Sequence, residues 1–182
     1  MSDDERTLIY NGRFLHSLGN WTATGAVYSA GDGDDHYGVA LLASAGHKVA
    51  QTFAVDRVRS YTLHTSIKCA SIVTSGQVTA VITDGDGNPV ATLNLTAATP
   101  DTWTEAENNL GLAPGSTYTL TITNVSAAAA VKLDDVWLWA VPATRTQLAS
   151  KVSTKLARLA SERSLVTTPS GTWLGNTVTM AV

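Results

Sequence analysis

The stretch GQVTAVITDGDGNPVATLNL, residues 76–95, indicates the fold class of this chain. In its first half, Val78, Ala80 and Ile82 take every second position. This period of two is typical of a β-strand that turns one side toward a core. The centre, Asp-Gly-Asp-Gly-Asn at residues 84–88, consists of turn-forming residues, and alternation resumes after it. The stretch therefore predicts a β-hairpin.

The same alternation recurs on both sides of the hairpin, from about Thr7 to Pro142. Clusters of Gly, Asp, Asn and Pro separate the segments, and no amphipathic stretch of helical length interrupts them. This pattern predicts an all-β, two-sheet antiparallel jelly-roll sandwich of about eight strands, without a nucleotide-binding βαβ unit. The predicted strands cover residues 37–43, 48–55, 60–69, 76–83, 89–95, 116–124 and 131–141.

The period changes after Pro142. Apolar residues in Thr144–Ser164 lie four, four and three positions apart, which predicts a C-terminal α-helix. Net charge is −7 over residues 1–142 and +4 over residues 143–182, so the two parts should meet different partners. We divide the chain into an N-terminal tail (1–7), a β domain (8–142) and an arm of helix and short strand-like tail (143–182). The predicted contact residues of the arm, toward other copies or other proteins, are Leu148, Val152, Leu156, Arg158, Leu159 and Trp173.

Several motifs follow one another in an order that resembles a known family. Asn11-Gly-Arg-Phe precedes Trp21, and the segments Gly111–Leu120 and Leu133–Leu138 follow later. In this order they resemble carbohydrate-binding modules of the family 4/9/22 kind. The resemblance implies a jelly roll that binds glycans, and glycan binding commonly uses exposed aromatic rings. The candidate glycan-contacting rings are Tyr28, Tyr37 and Trp103, whereas Trp21, Trp137 and Trp139 are expected in the core.

The resemblance also implies one structural Ca²⁺, held by the opening segment and the closing aspartate pair. Asn11, Asp134 and Asp135 match those positions. Leu15 stands where the family has an acidic residue, and Arg13 replaces a second acid. Ca²⁺ requires several oxygen ligands, so both replacements weaken the expected site. We predict no other cofactor.

Residue sets for catalysis are missing from the sequence. The four histidines lack metal-ligand spacing, and the single Cys69 has no activating partner. Asp134 and Asp135 are neighbours on a predicted strand and should point to opposite sides. The acidic β domain argues against nucleic acid, and no run of about 20 apolar residues is present to span a membrane. We expect a protein that is not an enzyme.

The start of the chain, Met1–Arg6, is acidic and polar, unlike a secretory signal peptide. A glycan-binding-like module made in the cytoplasm without such a signal fits a bacteriophage virion. Our hypothesis is therefore a virion structural protein (capsid decoration, neck or tail-associated) that assembles with copies of itself and other virion proteins through its arm. The alternative is a functional module that binds a cell-surface or capsular polysaccharide.

Overall fold

The computed structural model describes residues 7–34, 37–56 and 59–141, which form two antiparallel sheets of five strands each. The arm, with its predicted contact residues from Leu148 to Trp173, lies outside the described residues. The strands are β1 Thr22–Thr24, β2 Val27–Ser29, β3 Val39–Leu42, β4 Lys48–Val55, β5 Arg59–Cys69, β6 Val73–Thr83, β7 Pro89–Ala97, β8 Thr104–Leu112, β9 Ser116–Asn124 and β10 Val131–Ala140.

One sheet has the order β1-β4-β9-β6-β7 and the other the order β2-β3-β10-β5-β8. Most neighbours within a sheet are distant in the chain, because the chain crosses repeatedly between the two sheets. This arrangement is characteristic of a jelly-roll sandwich. The all-β, two-sheet architecture predicted from the sequence is confirmed. Within the described part of the chain, no helix is long and apolar enough to cross a membrane.

The core lies between the two sheets and is built by the alternation seen in the sequence. In β4, Val49, Phe53 and Val55 are buried together with Gln51, while the intervening side chains are outside. Gln51 is satisfied there, since its amide exchanges two hydrogen bonds with the backbone of Tyr10, at 2.7 and 2.8 Å. The burial of Trp21 and Cys69, expected from the sequence, is also confirmed.

The observed strands also include three that the sequence pattern did not reveal. β1 and β2 have only three residues each, too few to display a period. β8 reads Thr-Glu-Ala-Glu-Asn-Asn-Leu-Gly-Leu, with only its last residue fully inside. It forms the edge of its sheet and pairs with β5 alone, so weak apolar alternation suffices to hold it.

The opening segment of the domain, residues 7–14, runs beside the second half of β10. Thr7 forms a bridge with Trp139, and the Leu8 amide donates to the Leu138 carbonyl at 2.7 Å. Farther along, the Val136 amide donates to the Gly12 carbonyl at 3.0 Å. A Cβ atom at Gly12 would lie 1.8 Å from the Val136 carbonyl oxygen, so this approach requires glycine. Thr7, which the sequence division placed in the tail, is therefore part of the β domain.

Candidate binding face

The second sheet turns two tryptophan rings outward on β10. Val136 and Leu138 point into the core and have no exposed surface, so the alternating Trp137 and Trp139 lie on the outer side. Both rings are half-buried by their neighbours on that surface. The sequence interpretation that they belong to the core is wrong. Alternation shows that two residues share a side of a strand, but it does not say which side faces inward.

Residues opposite these tryptophans on neighbouring strands extend the same surface. Directly paired residues of antiparallel strands project to one side of a sheet, so the pairing register identifies them. We call the resulting surface the aromatic face. Its rows are Trp139–Thr62–Asn109 and Trp137–His64–Glu107, and Lys68 lies beyond them on the same side.

The polar groups of the aromatic face hold its rings in place. His64 stacks on Trp139, with centroids 5.9 Å apart and planes 22° from parallel, while its Nδ1 lies 3.2 Å from a Glu107 carboxylate oxygen. The Trp137 indole lies near the Asp135 carboxylate and acts to lower the pKa of that group. Rings that are supported in this way lose little conformational entropy when a ligand binds.

Two of the three rings predicted to contact a glycan flank this face. Trp103 immediately precedes β8, and the Lys68 ammonium lies 5.8 Å from its ring centroid. Tyr37 is 44% exposed, and the guanidinium of Arg13 lies 5.2 Å from its ring centroid. Because Arg13 also faces Asp135, Tyr37 borders the aromatic face at the β10 side.

The third predicted ring, Tyr28, is placed differently. It lies on β2 opposite Ala40, whose side chain is buried, and its ring packs against the core. Its hydroxyl donates to the Leu15 carbonyl at 3.4 Å. A Cβ atom at Gly38 would lie 2.1 Å from the Tyr28 ring, which shows how closely the ring is enclosed. Tyr28 is therefore not brought into the aromatic face.

Asp134 pairs with Ser66 of β5, and the pairing of β10 with β5 becomes irregular between Asp134 and Trp137. The Asp134 side chain has no exposed surface and accepts hydrogen bonds from the amides of Asp34 (2.9 Å) and Asp135 (2.8 Å). Burial raises the pKa of Asp134 to about 6. Burial also raises the pKa of Asp135, and the positive charge of Arg13 opposes that change. Asp135 has a φ of 47°, so its backbone is in the left-handed region.

Asn11, one of the three residues predicted to bind Ca²⁺, uses its side chain for hydrogen bonds with the backbone. The Asn11 oxygen accepts the Leu15 amide at 3.2 Å, and its nitrogen donates to the carbonyls of Ser17 and Gly19. Its side chain is thus used to close the turn after the opening segment. Over residues 7–34, 37–56 and 59–141, no group of three or more His, Cys, Asp or Glu side chains is arranged to hold a metal ion.

Comparison with known proteins links the fold to carbohydrate-binding modules. A family 61 module, solved in complex with β-1,4-galactotriose, matches with a TM-score of 0.59 and 13% identity, over 75% of this chain and 99% of that one. The family 22 xylan-binding domain of Paenibacillus barcinonensis Xyn10C matches with a TM-score of 0.51 and 17% identity, over 73% of this chain and 94% of that one.

A viral protein also matches. The enzymatically active domain of tailspike protein 4 from bacteriophage CBA120 gives a TM-score of 0.57 at 15% identity, over 76% of this chain. The match spans only 22% of the tailspike chain. No family model matches the sequence, and no curated protein is similar to it. At these identities the likeness concerns the fold alone: the described residues form a jelly roll of the kind found in carbohydrate-binding modules.

Proposed function

We propose that this domain is a non-catalytic glycan-binding module and that the glycan lies across the aromatic face. The observation that carries the proposal is the outward position of Trp137 and Trp139, beside amide, imidazole and carboxylate groups on β5 and β8. A sugar ring packs its C–H surface on an indole and hydrogen-bonds through its hydroxyls. The aromatic face offers both kinds of contact.

Each part of the face has a distinct task in this proposal. The two indoles supply stacking area, and the exposed Glu107 carboxylate accepts hydrogen bonds from sugar hydroxyls. Asn109 both donates and accepts, while its own oxygen is oriented by the Thr62 hydroxyl at 2.6 Å. Carbohydrate ligands named for two of the similar structures, a galactotriose and a xylan, support this ligand class.

A glycan array probed with the full chain, followed by titration calorimetry on the strongest ligand, tests the proposal. Trp137→Ala and Trp139→Ala should each weaken binding at least about 10-fold, since buried aromatic anchors contribute most of a binding free energy. The matched control is Thr121→Ala, on the outer side of the opposite sheet. Failure of the native chain to bind any glycan, or equal losses in the control, would contradict the proposal.

The virion setting is a second proposal, favoured by the match to one domain of a phage tailspike. In this setting the protein is made in the host cytoplasm, and the module displays its aromatic face while residues 143–182 attach it to copies of itself or to other virion proteins. Mass spectrometry of purified particles should detect the chain. Deleting residues 143–182 should remove it from particles without altering glycan binding, and a chain that is absent from particles refutes the setting.

A further inference from the structure

We infer that the Arg13 guanidinium acts as the internal cation of the junction between the opening segment and β10, so that this junction needs no divalent metal ion. The Arg13 Nε atom lies 3.7 Å from a carboxylate oxygen of Asp135. This places a permanent positive charge next to Asp135, the second residue of the closing aspartate pair.

The junction concentrates negative charge that must be balanced. Asp34, Asp134 and Asp135 are close enough for the charge of Asp34 to act on both of the others. Asp134 is fully enclosed and keeps its two oxygens on backbone amides of the same region. Lys132 pairs separately with Asp32 at 3.2 Å. Among the described residues, Arg13 is thus the arginine or lysine that pairs with Asp135.

The backbone on both sides of Arg13 is fixed, which keeps its charge at the junction. On one side, the Gly12 carbonyl accepts the Val136 amide with no room for a side chain at residue 12. On the other side, Phe14 is completely buried. The guanidinium also lies over the ring of Tyr37. Arg13 therefore joins the opening segment, the closing strand and an exposed ring at the edge of the aromatic face.

The remaining oxygen donors explain why a positive side chain suits this place better than a metal ion. Ca²⁺ takes six to eight oxygen ligands. Asn11 is engaged in closing a turn, Leu15 has no donor, and both Asp134 oxygens already accept hydrogen bonds. One arginine supplies charge and several N–H donors without requiring a complete shell of oxygens.

Residue 13 is the place to test this inference, with Ca²⁺ alone as the probe. Thermal unfolding of the full chain is compared in EDTA and in roughly 5 mM CaCl₂, a concentration that saturates weak extracellular-type sites. The native chain and Arg13→Lys should unfold at the same temperature in both solutions. Arg13→Asp, which exchanges the cation for an acidic oxygen, should unfold several degrees lower in EDTA and regain stability in Ca²⁺.

Arg13→Gln is the neutral variant. Its unfolding temperature in EDTA and in CaCl₂ can be compared with that of the native chain even if Arg13→Asp does not fold. Its response to Ca²⁺ should lie between those of the lysine and aspartate variants, because it removes the competing charge without adding a ligand. Titration calorimetry with CaCl₂ should give the same order of affinity. A native chain that binds Ca²⁺ and is stabilised by it overturns the inference, as does a Ca²⁺ response that does not depend on the charge at residue 13.

Discussion

The two sheets of this domain share one core but present very different outer surfaces. The aromatic face combines indole rings with His64 and with several acidic and basic side chains. The outer side of the other sheet, here called the threonine face, has Lys48 as the one charged side chain among its rows of cross-strand pairs. It consists largely of Thr22, Thr24, Thr52, Thr79, Thr83, Thr92, Thr117, Thr119, Thr121 and Thr123.

This difference separates what the fold requires from what the proposed function requires. Threonine suits a solvated strand surface because it is β-branched and hydroxylated, so the threonine face is explained by strand formation alone. Partly exposed tryptophans beside carboxylates are not needed to form a strand. The proposed glycan site rests on this gathering of rings and charges on one of the two outer surfaces.

The largest effects should come from the core, which both sheets share. Leu120 of β9 and Leu138 of β10 are fully buried from opposite sides. Replacing either with alanine should lower the free energy of unfolding by about 2–5 kcal/mol, measured by urea denaturation. Similar losses of unfolding free energy in the two variants would show that both sheets contribute to the common core. A loss below about 1 kcal/mol at either position would contradict a common core.

A smaller effect should come from Asp134, beneath the aromatic face. Its pKa is raised to about 6 in the folded chain, against 3.8 for the ordinary group, so the folded state holds an extra proton between these values. The contribution of Asp134 to the free energy of unfolding should therefore be largest below about pH 4. This contribution should fall by roughly 1–3 kcal/mol as the pH rises to 6 and above.

Urea denaturation between pH 4 and 7, in EDTA, measures this contribution. Asp134→Asn is the matched control, because it has nearly the same shape and does not titrate. The decrease in stability should be smaller in this variant than in the native chain by the amount given above. Identical pH profiles for the two chains would contradict the assignment.

The smallest effects should come from the threonine face. Thr52 and Thr119 form a hydroxyl–hydroxyl contact of 3.0 Å at an exposed position. Thr119→Val removes it while keeping a β-branched side chain, so the free energy of unfolding should change by less than about 0.5 kcal/mol. The affinity for glycan, measured by calorimetry, should stay the same. A large loss of affinity would instead indicate that the glycan binds to the threonine face.

The sequence predicted the fold well wherever one side of a strand is apolar. β4 and β9 have the predicted bounds, and the turn at Asp84 forms as expected, with its carboxylate accepting the amides of Asp86 and Asn88. The alternation of apolar and polar residues could not reveal β8, because this edge strand has glutamates on its outer side and few apolar residues.

The candidate site was less predictable, for a reason of geometry. Tryptophan is so apolar that residues 137 and 139 were assigned to the core, but Val136 and Leu138 fill the inward positions. The irregular pairing between Asp134 and Trp137 shifts the alternation at that point. Two polar residues, Asp134 and Asp135, precede the pair of tryptophans and could have suggested the shift. The partners His64 and Glu107 depend on strand register, which a single sequence does not specify.

The most direct test of the central proposal is to locate a bound glycan on one of the two outer surfaces. Titrating the ¹⁵N-labelled full chain with the strongest array ligand and following amide and indole NMR signals would do so. Shifts are expected at the indole N–H groups of Trp137 and Trp139 and along β5 and β8, with the signals of β4, β6 and β9 unchanged. Shifts confined to the threonine face, or no saturable shifts, would contradict it.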